Sequence, residues 1–120
     1  GIPVDIDQLA VSSIHGQQHA AARARVVQPP ATPLGGRLVV IAQEVLSTGL
    51  STAFLTSWLR RRGAAEVEVC ALLDRAAARI VDAPLACSGF AAPDVALVGY
   101  GLTRWREFRD LPFIAEVETR

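Results

Sequence analysis

Apolar and polar positions divide this chain into short blocks, and one block is clearer than the rest. Leu38-Val39-Val40-Ile41-Ala42 is an unbroken apolar run rich in β-branched residues, which predicts a parallel strand buried on both faces. Ser47-Thr48-Gly49 then reads as a tight turn. From Leu50 the apolar residues Ala53, Phe54, Leu55, Trp58 and Leu59 recur at helical spacing. Arg60, Arg61 and Arg62 fall in the last turn, where cations favour the helix dipole, and Gly63 supplies a left-handed stop.

The other blocks are weaker. Val4 to Val11 alternates and then turns apolar, predicting a strand that ends at Ser12-Ser13, with Asp5 and Asp7 on one face. That pair reads either as two metal ligands or as polar residues on an exposed strand face. Ile14 to Ala22 has no clear period and reads as a loop. Within it His15 and His19 stand four apart, but Gly16 and the want of a third ligand argue against zinc. Arg23 to Val27 reads as a strand returning from that loop, and 28–36, rich in proline and glycine, as a connector. Ala65 to Leu73 predicts a second buried strand. Asp74 to Arg79 reads as a polar loop and Ile80 to Pro84 as a short extended piece. Cys87 to Phe90 and Ala96 to Tyr100 read as short strands flanking an Ala92-Pro93-Asp94 turn. Thr103 to Asp110 reads as a helical turn and Phe113 to Val117 as a last strand. This alternation predicts an α/β fold, a mainly parallel sheet with flanking helices, in one domain spanning 1–120.

Composition narrows the partners. Lys+Arg and Asp+Glu are both 12, so the net charge is zero and no global basic field recruits nucleic acid. The triplet Arg60 to Arg62 reads as a solvated helix end ahead of an RNA contact. There is no lysine, so every side-chain cation other than histidine is arginine, the better residue for forked phosphate contacts. No run is long and apolar enough for a membrane span and none reads as a secretory leader, so a cytoplasmic chain is expected. Cys70 and Cys87 lie in apolar strand-like runs with no CxxC or CxxH spacing, and read as buried free thiols.

The turn at 47–49 carries the candidate chemistry. The first N–H groups of a helix lack intrahelical partners and point into such a turn, Gly49 lets backbone approach closely, and Ser47, Thr48 and Ser51 add hydroxyls. A phosphate monoester suits this arrangement. The dipole contributes only about 0.3–1 kcal/mol, so oriented donors must supply the rest. The same pattern also describes an ordinary capped helix after a strand.

VVIAQEVLSTGLS (39–51) resembles the phosphoribosyl-diphosphate (PRPP) motif of purine phosphoribosyltransferases of the hypoxanthine-guanine type. WLRRRGAAEVEVCALLDR, SGFAAPDVALVGYGL and REFRDLPFIAEVE resemble the same family in the same order, and VDIDQLAVSS resembles the strand leading to its mobile flap. The resemblance implies a type I phosphoribosyltransferase-like core. It implies that the loop Ser47, Thr48, Gly49, Leu50 and Ser51 binds a 5′-phosphate. Gln43 and Glu44 replace the family's two ribose-binding acids, leaving one carboxylate. Any Mg²⁺ would enter with PRPP at a weakened site. Ser47 stands where the family has an aspartate thought to act as general base, and a hydroxyl cannot take up a proton near neutral pH without another base. In the base pocket Arg75 replaces a lysine, Ala96, beside Leu97, replaces a stacking aromatic residue, and Thr103 replaces a magnesium- and purine-contacting aspartate. Lost stacking is worth on the order of 1–3 kcal/mol. Arg109 aligns with a diphosphate-contacting arginine; alternatively it pairs at the surface with Asp110 or Glu107.

Family members also carry an N-terminal strand, its helix and a diphosphate loop that nothing in these residues matches. A sheet without them would leave an edge and an apolar face open, so an oligomer is expected, either with itself or with an intact transferase chain. Two functions follow from the resemblance. One is a binding or assembly subunit that keeps the phosphate loop but lacks the catalytic aspartate. The other is an active phosphoribosyltransferase that transfers phosphoribosyl from PRPP to a purine-like acceptor, alone or as part of a heteromer.

Overall fold

The computed structural model of the chain describes residues 1–12, 24–103 and 106–117. The expected flap, with His15 and His19, lies outside the described residues. The elements are β1 (Ala10–Ser12), β2 (Arg25–Gln28), β3 (Leu38–Leu46), α1 (Leu50–Arg61), β4 (Glu66–Asp74), β5 (Leu85–Ala91), β6 (Ala96–Val98) and β7 (Ala115–Val117), with a 3₁₀ turn at Ala76–Ala78. At the centre is a parallel sheet in the order β3-β4-β5. β1 pairs with β2 and β6 with β7, each pair antiparallel.

β3 runs past its apolar run through Gln43 and Glu44 to Leu46, because β4 supplies a continuous ladder from Leu38↔Glu66 to Leu46↔Asp74. β4 buries Val67, Val69, Ala71 and Leu73 on one face. α1 covers that face. Leu59, Ala64 and Val67 form a core cluster, with Val39, Ile41, Trp58, Leu9 and Leu34 packed against it. The buried residues of α1 are Thr52, Thr56 and Leu59, so the innermost line of the helix is more polar than its apolar stripe predicts. Both hydroxyls are satisfied. Thr56 donates to the Thr52 carbonyl at 2.9 Å, and Thr52 donates to Gln43 Oε1 at 3.0 Å. Gly63 adopts φ 95, the left-handed stop expected of it, and Arg62 lies 4.6 Å over the Trp58 ring.

Several expectations are corrected. β3 is not buried on both faces: Leu38, Val40 and Ala42 are exposed, because among the described residues only one face of the sheet is covered by a helix. Val4 to Val11 is not one strand; only Ala10–Ser12 pairs, and the preceding residues use side chains instead of a ladder. Arg37 Nη2 donates to Asp5 Oδ2 at 2.6 Å, while the Asp7 carboxylate accepts the Thr32 N–H at 2.7 Å and the Gln8 N–H at 2.8 Å. Such bonds compete with strand pairing, and they direct the two aspartates to different partners instead of to one metal ion. Thr103 to Asp110 is not helical in its described residues, since Arg106 and Phe108 take φ of 68 and 66. Cys70 and Cys87 are not both buried: Cys70 is half-buried and Cys87 exposed.

The hydrogen bond from the Thr32 N–H, then that from Gln8, holds the Asp7 carboxyl below its ordinary value of 3.8. A lowered folded value gives stability that is present above the unfolded pKa and lost as pH falls through the folded one. In an NMR acid titration the Thr32 amide of the wild type should therefore shift with a midpoint below 3.8. Asp7→Asn should abolish that transition, and a wild-type midpoint at or above the ordinary value would contradict this account.

Candidate functional site

Ser47, Thr48 and Gly49 leave the C-terminal end of β3 and enter α1. Gly49 is the N-cap, at φ 83 and ψ −7, with no side-chain cap bond. A Cβ there would stand 2.2 Å from the Val81 carbonyl oxygen, so only glycine fits. The Gly49 carbonyl accepts the first helical bond from the Ala53 N–H at 2.8 Å. Thr48 Oγ1 lies 3.4 Å from the Leu50 N–H, a long contact that leaves the helix start open to a better acceptor. Leu50 and Ser51 are exposed, while Ser47 and Thr48 are half-buried.

The loop is held from beneath by the segment following β4. The Leu46 carbonyl accepts the Arg75 N–H at 2.9 Å, and the Thr48 carbonyl accepts the N–H groups of Ile80 and Val81 at 2.9 and 3.1 Å. Arg79 Nε donates to the Ser47 carbonyl at 2.8 Å, and its Nη2 is paired with Asp74. That ion pair is under one-fifth exposed on both sides. The carbonyls of the turn are thereby drawn towards the arm at 75–81. Sequence reasoning missed Arg79, Asp74 and Val81; the available signal was a pair of arginines, Arg75 and Arg79, flanking the three alanines after Asp74.

The other expected residues are placed as follows. Gln43 is occupied within the fold, its amide donating to the Val45 carbonyl at 3.1 Å while its oxygen accepts from Thr52. Glu44 is exposed, and its carboxylate approaches the Gly101 backbone, 3.6 Å from where a Cβ would stand. Arg75 Nη2 donates to the Val95 carbonyl, while its Nε is buried without a partner. The arginine is thus brought to the strand carrying Ala96 and Leu97, both half-buried in β6. Thr103 is turned into its own loop, Oγ1 donating to the Glu107 carbonyl at 3.0 Å. Arg109 is exposed, its carbonyl accepting the Gly101 N–H at 3.0 Å, and no ion pair among the described residues joins it to Asp110 or Glu107. The structure therefore ties the turn to the 75–81 arm, Glu44 to the Gly101 loop, and Arg75 to β6.

The glycine contact gives a direct check. Gly49→Ala combines a left-handed backbone with a clash against Val81, so it should destabilise the chain by roughly 1–3 kcal/mol from backbone strain alone. Urea unfolding of the two proteins measures this, and a change within about 0.5 kcal/mol, the range of neutral surface substitutions, would contradict the tight fit.

No family model matches the chain. A hypoxanthine-guanine phosphoribosyltransferase of Lactococcus lactis subsp. lactis is 32% identical over 111 residues, which cover 92% of this chain and 60% of that protein. One from Bacillus subtilis is 29% identical, with 92% of this chain and 62% of that protein covered. A solved hypoxanthine phosphoribosyltransferase from Staphylococcus aureus superposes with a TM-score of 0.83 at 28% identity, over 93% of this chain and 61% of its own. The chain spans about three-fifths of the length of these relatives. Sequence and architecture together make it a homologue of the hypoxanthine-guanine phosphoribosyltransferases, on a type I phosphoribosyltransferase fold.

Proposed function

We propose that this chain binds the 5′-phosphate of PRPP or of a purine nucleotide, and that it acts as a binding or assembly subunit of a phosphoribosyltransferase with little turnover of its own. The observation that carries the reading is the braced, uncapped turn at 47–49. Its carbonyls are tied to the arm beneath, which leaves the opening N–H groups of α1 and the hydroxyls of Thr48 and Ser51 for an anion.

The reduced catalysis rests on residue chemistry. Ser47 occupies the position at which the resembled family has its general base. Losing one such group removes about 10²–10⁴ in rate. Arg75, Ala96 and Thr103 retain the backbone of a base pocket without its stacking ring or second acid. Glu44 is an exposed carboxylate just before the turn, Asp74 is held by Arg79, and the Gln43 oxygen already accepts a bond from Thr52. These donors fit Mg²⁺ only if the ligand's own phosphate oxygens complete the shell, the usual way this ion is held. Glu44 would be its protein contact.

The assembly role rests on the edge of β3 and the sheet face carrying Leu38, Val40 and Ala42, which are open among the described residues. A homologous chain is the partner proposed, because an open strand edge and an apolar face are surfaces that a second chain of the same fold can cover.

Calorimetry with PRPP and with inosine and guanosine monophosphates, alongside a purine turnover assay, tests both halves. Phosphate-bearing ligands should bind and the unphosphorylated nucleosides should not, while turnover stays far below the usual 1–10³ per second. Turnover in that range by the chain alone would overturn the reading. Ser47→Asp alone should not restore it, because the stacking ring is still lacking. Activity that appears only on mixing with an intact homologue would show the chain to be a working half of a heteromer.

A further inference from the structure

Outside the phosphate site, one pair of reactive side chains is unexplained. Cys70 of β4 and Cys87 of β5 are direct partners across the parallel ladder, in a row that continues through Ala42 of β3. The register shifts between Val69 and Cys70, the kind of irregularity that re-aims a side chain. Here the Cys87 thiol donates to Cys70 Sγ at 2.7 Å. Neighbouring strands lie about 4.7–4.9 Å apart, inside the roughly 4.4–6.8 Å between Cα atoms that a disulfide needs. Cys87 is exposed and Cys70 half-buried, so a small oxidant can reach the pair from the uncovered side of the sheet.

We propose that Cys70 and Cys87 are a dithiol–disulfide modification site whose closure braces the arm beneath the phosphate-binding turn. The covalent loop would join residues separated by 17 positions. It would enclose Asp74, Arg75, Arg79 and Val81, the groups that hold the turn or reach β6.

The co-reactant is a low-molecular-weight disulfide. The Cys87 thiolate attacks one of its sulfurs, forming a mixed disulfide and releasing one thiolate. Cys70 then loses its proton and attacks Cys87 Sγ, forming the Cys70–Cys87 bond and releasing the second thiolate. Two protein thiols are oxidised, one small disulfide is reduced to two thiols, and atoms and electrons balance. The order follows from access, since Cys87 is exposed and Cys70 half-buried. An exposed cross-strand disulfide is of the labile, reversible kind.

The test incubates the full chain in glutathione redox buffers, traps free thiols with iodoacetamide, and reads intact mass and a peptide map. The wild type should lose two hydrogens in the monomer and yield a linked Cys70–Cys87 peptide, reversed by dithiothreitol. Cys70→Ser should stop at a glutathione adduct on Cys87. The oxidised wild type should melt roughly 5–15 °C higher than the reduced form, the scale expected when a link closes such a loop in a chain of this size. A wild type that keeps a stable glutathione adduct, links between chains, or remains fully reduced in oxidised glutathione would overturn the assignment. A melting midpoint that does not rise on closure would overturn the bracing.

Discussion

The geometry of the site depends on one close approach, that of the Gly49 backbone to the Val81 carbonyl. It fixes how far the arm after β4 can rise towards the end of β3, and it leaves no room for a side chain. Three backbone bonds and the Arg79 contact to Ser47 then lock the turn onto that arm. Two segments more than 25 residues apart in sequence therefore behave as one piece. A turn of this kind needs such support. An N–H cluster attracts an anion only if it is already oriented before the ligand arrives, because ordering it afterwards subtracts from the binding free energy.

The same contacts decide where positive charge is available. Arg79 touches the turn, but it is consumed by Asp74 and by the Ser47 carbonyl. Arg75 is engaged with the Val95 carbonyl. On the proposed reading, a phosphate at 47–51 would be met by backbone N–H groups, hydroxyls and the helix dipole. Such donors favour the anion by position. They discriminate by shape more than by net charge, and they lose less to salt screening than an exposed cation would. A chain of zero net charge can hold a phosphate in this way without becoming a general polyanion binder.

The strand–turn–helix unit was legible in the sequence because its signals are local: a β-branched run, a Ser-Thr-Gly turn, a helical period and a glycine stop. The parts that were not legible depend on contacts distant in sequence. The N-terminal alternation looked like a strand, yet Asp5 and Asp7 spend their carboxylates on Arg37 and on the Thr32 and Gln8 N–H groups. Thr52 and Thr56 lie outside the apolar set that predicts the helix, and become core only because Gln43 and a helix carbonyl satisfy them. The loop after Thr103 has helix-compatible composition, but Arg106 and Phe108 take left-handed angles that no local pattern announces. Within the site, the position and residue types of the turn could be read from the chain, whereas its support by Arg79 and Val81 could not.

The least secure part of this arrangement is β5. Six of its seven residues are exposed, so apolar burial contributes little to its position. What places it is the parallel ladder to β4 and its continuation, in which the Ala92 N–H donates to the Asp74 carbonyl at 2.8 Å. From there the chain passes to Val95, whose carbonyl engages Arg75, and then into β6. Ala96 and Leu97, proposed for the base side, are thus positioned through a strand with hardly any core beneath it. Any group that ties β5 to β4 acts on both halves of the site at once. Asp74 ends β4 and anchors Arg79 under the turn, while the same ladder carries the chain on to β6.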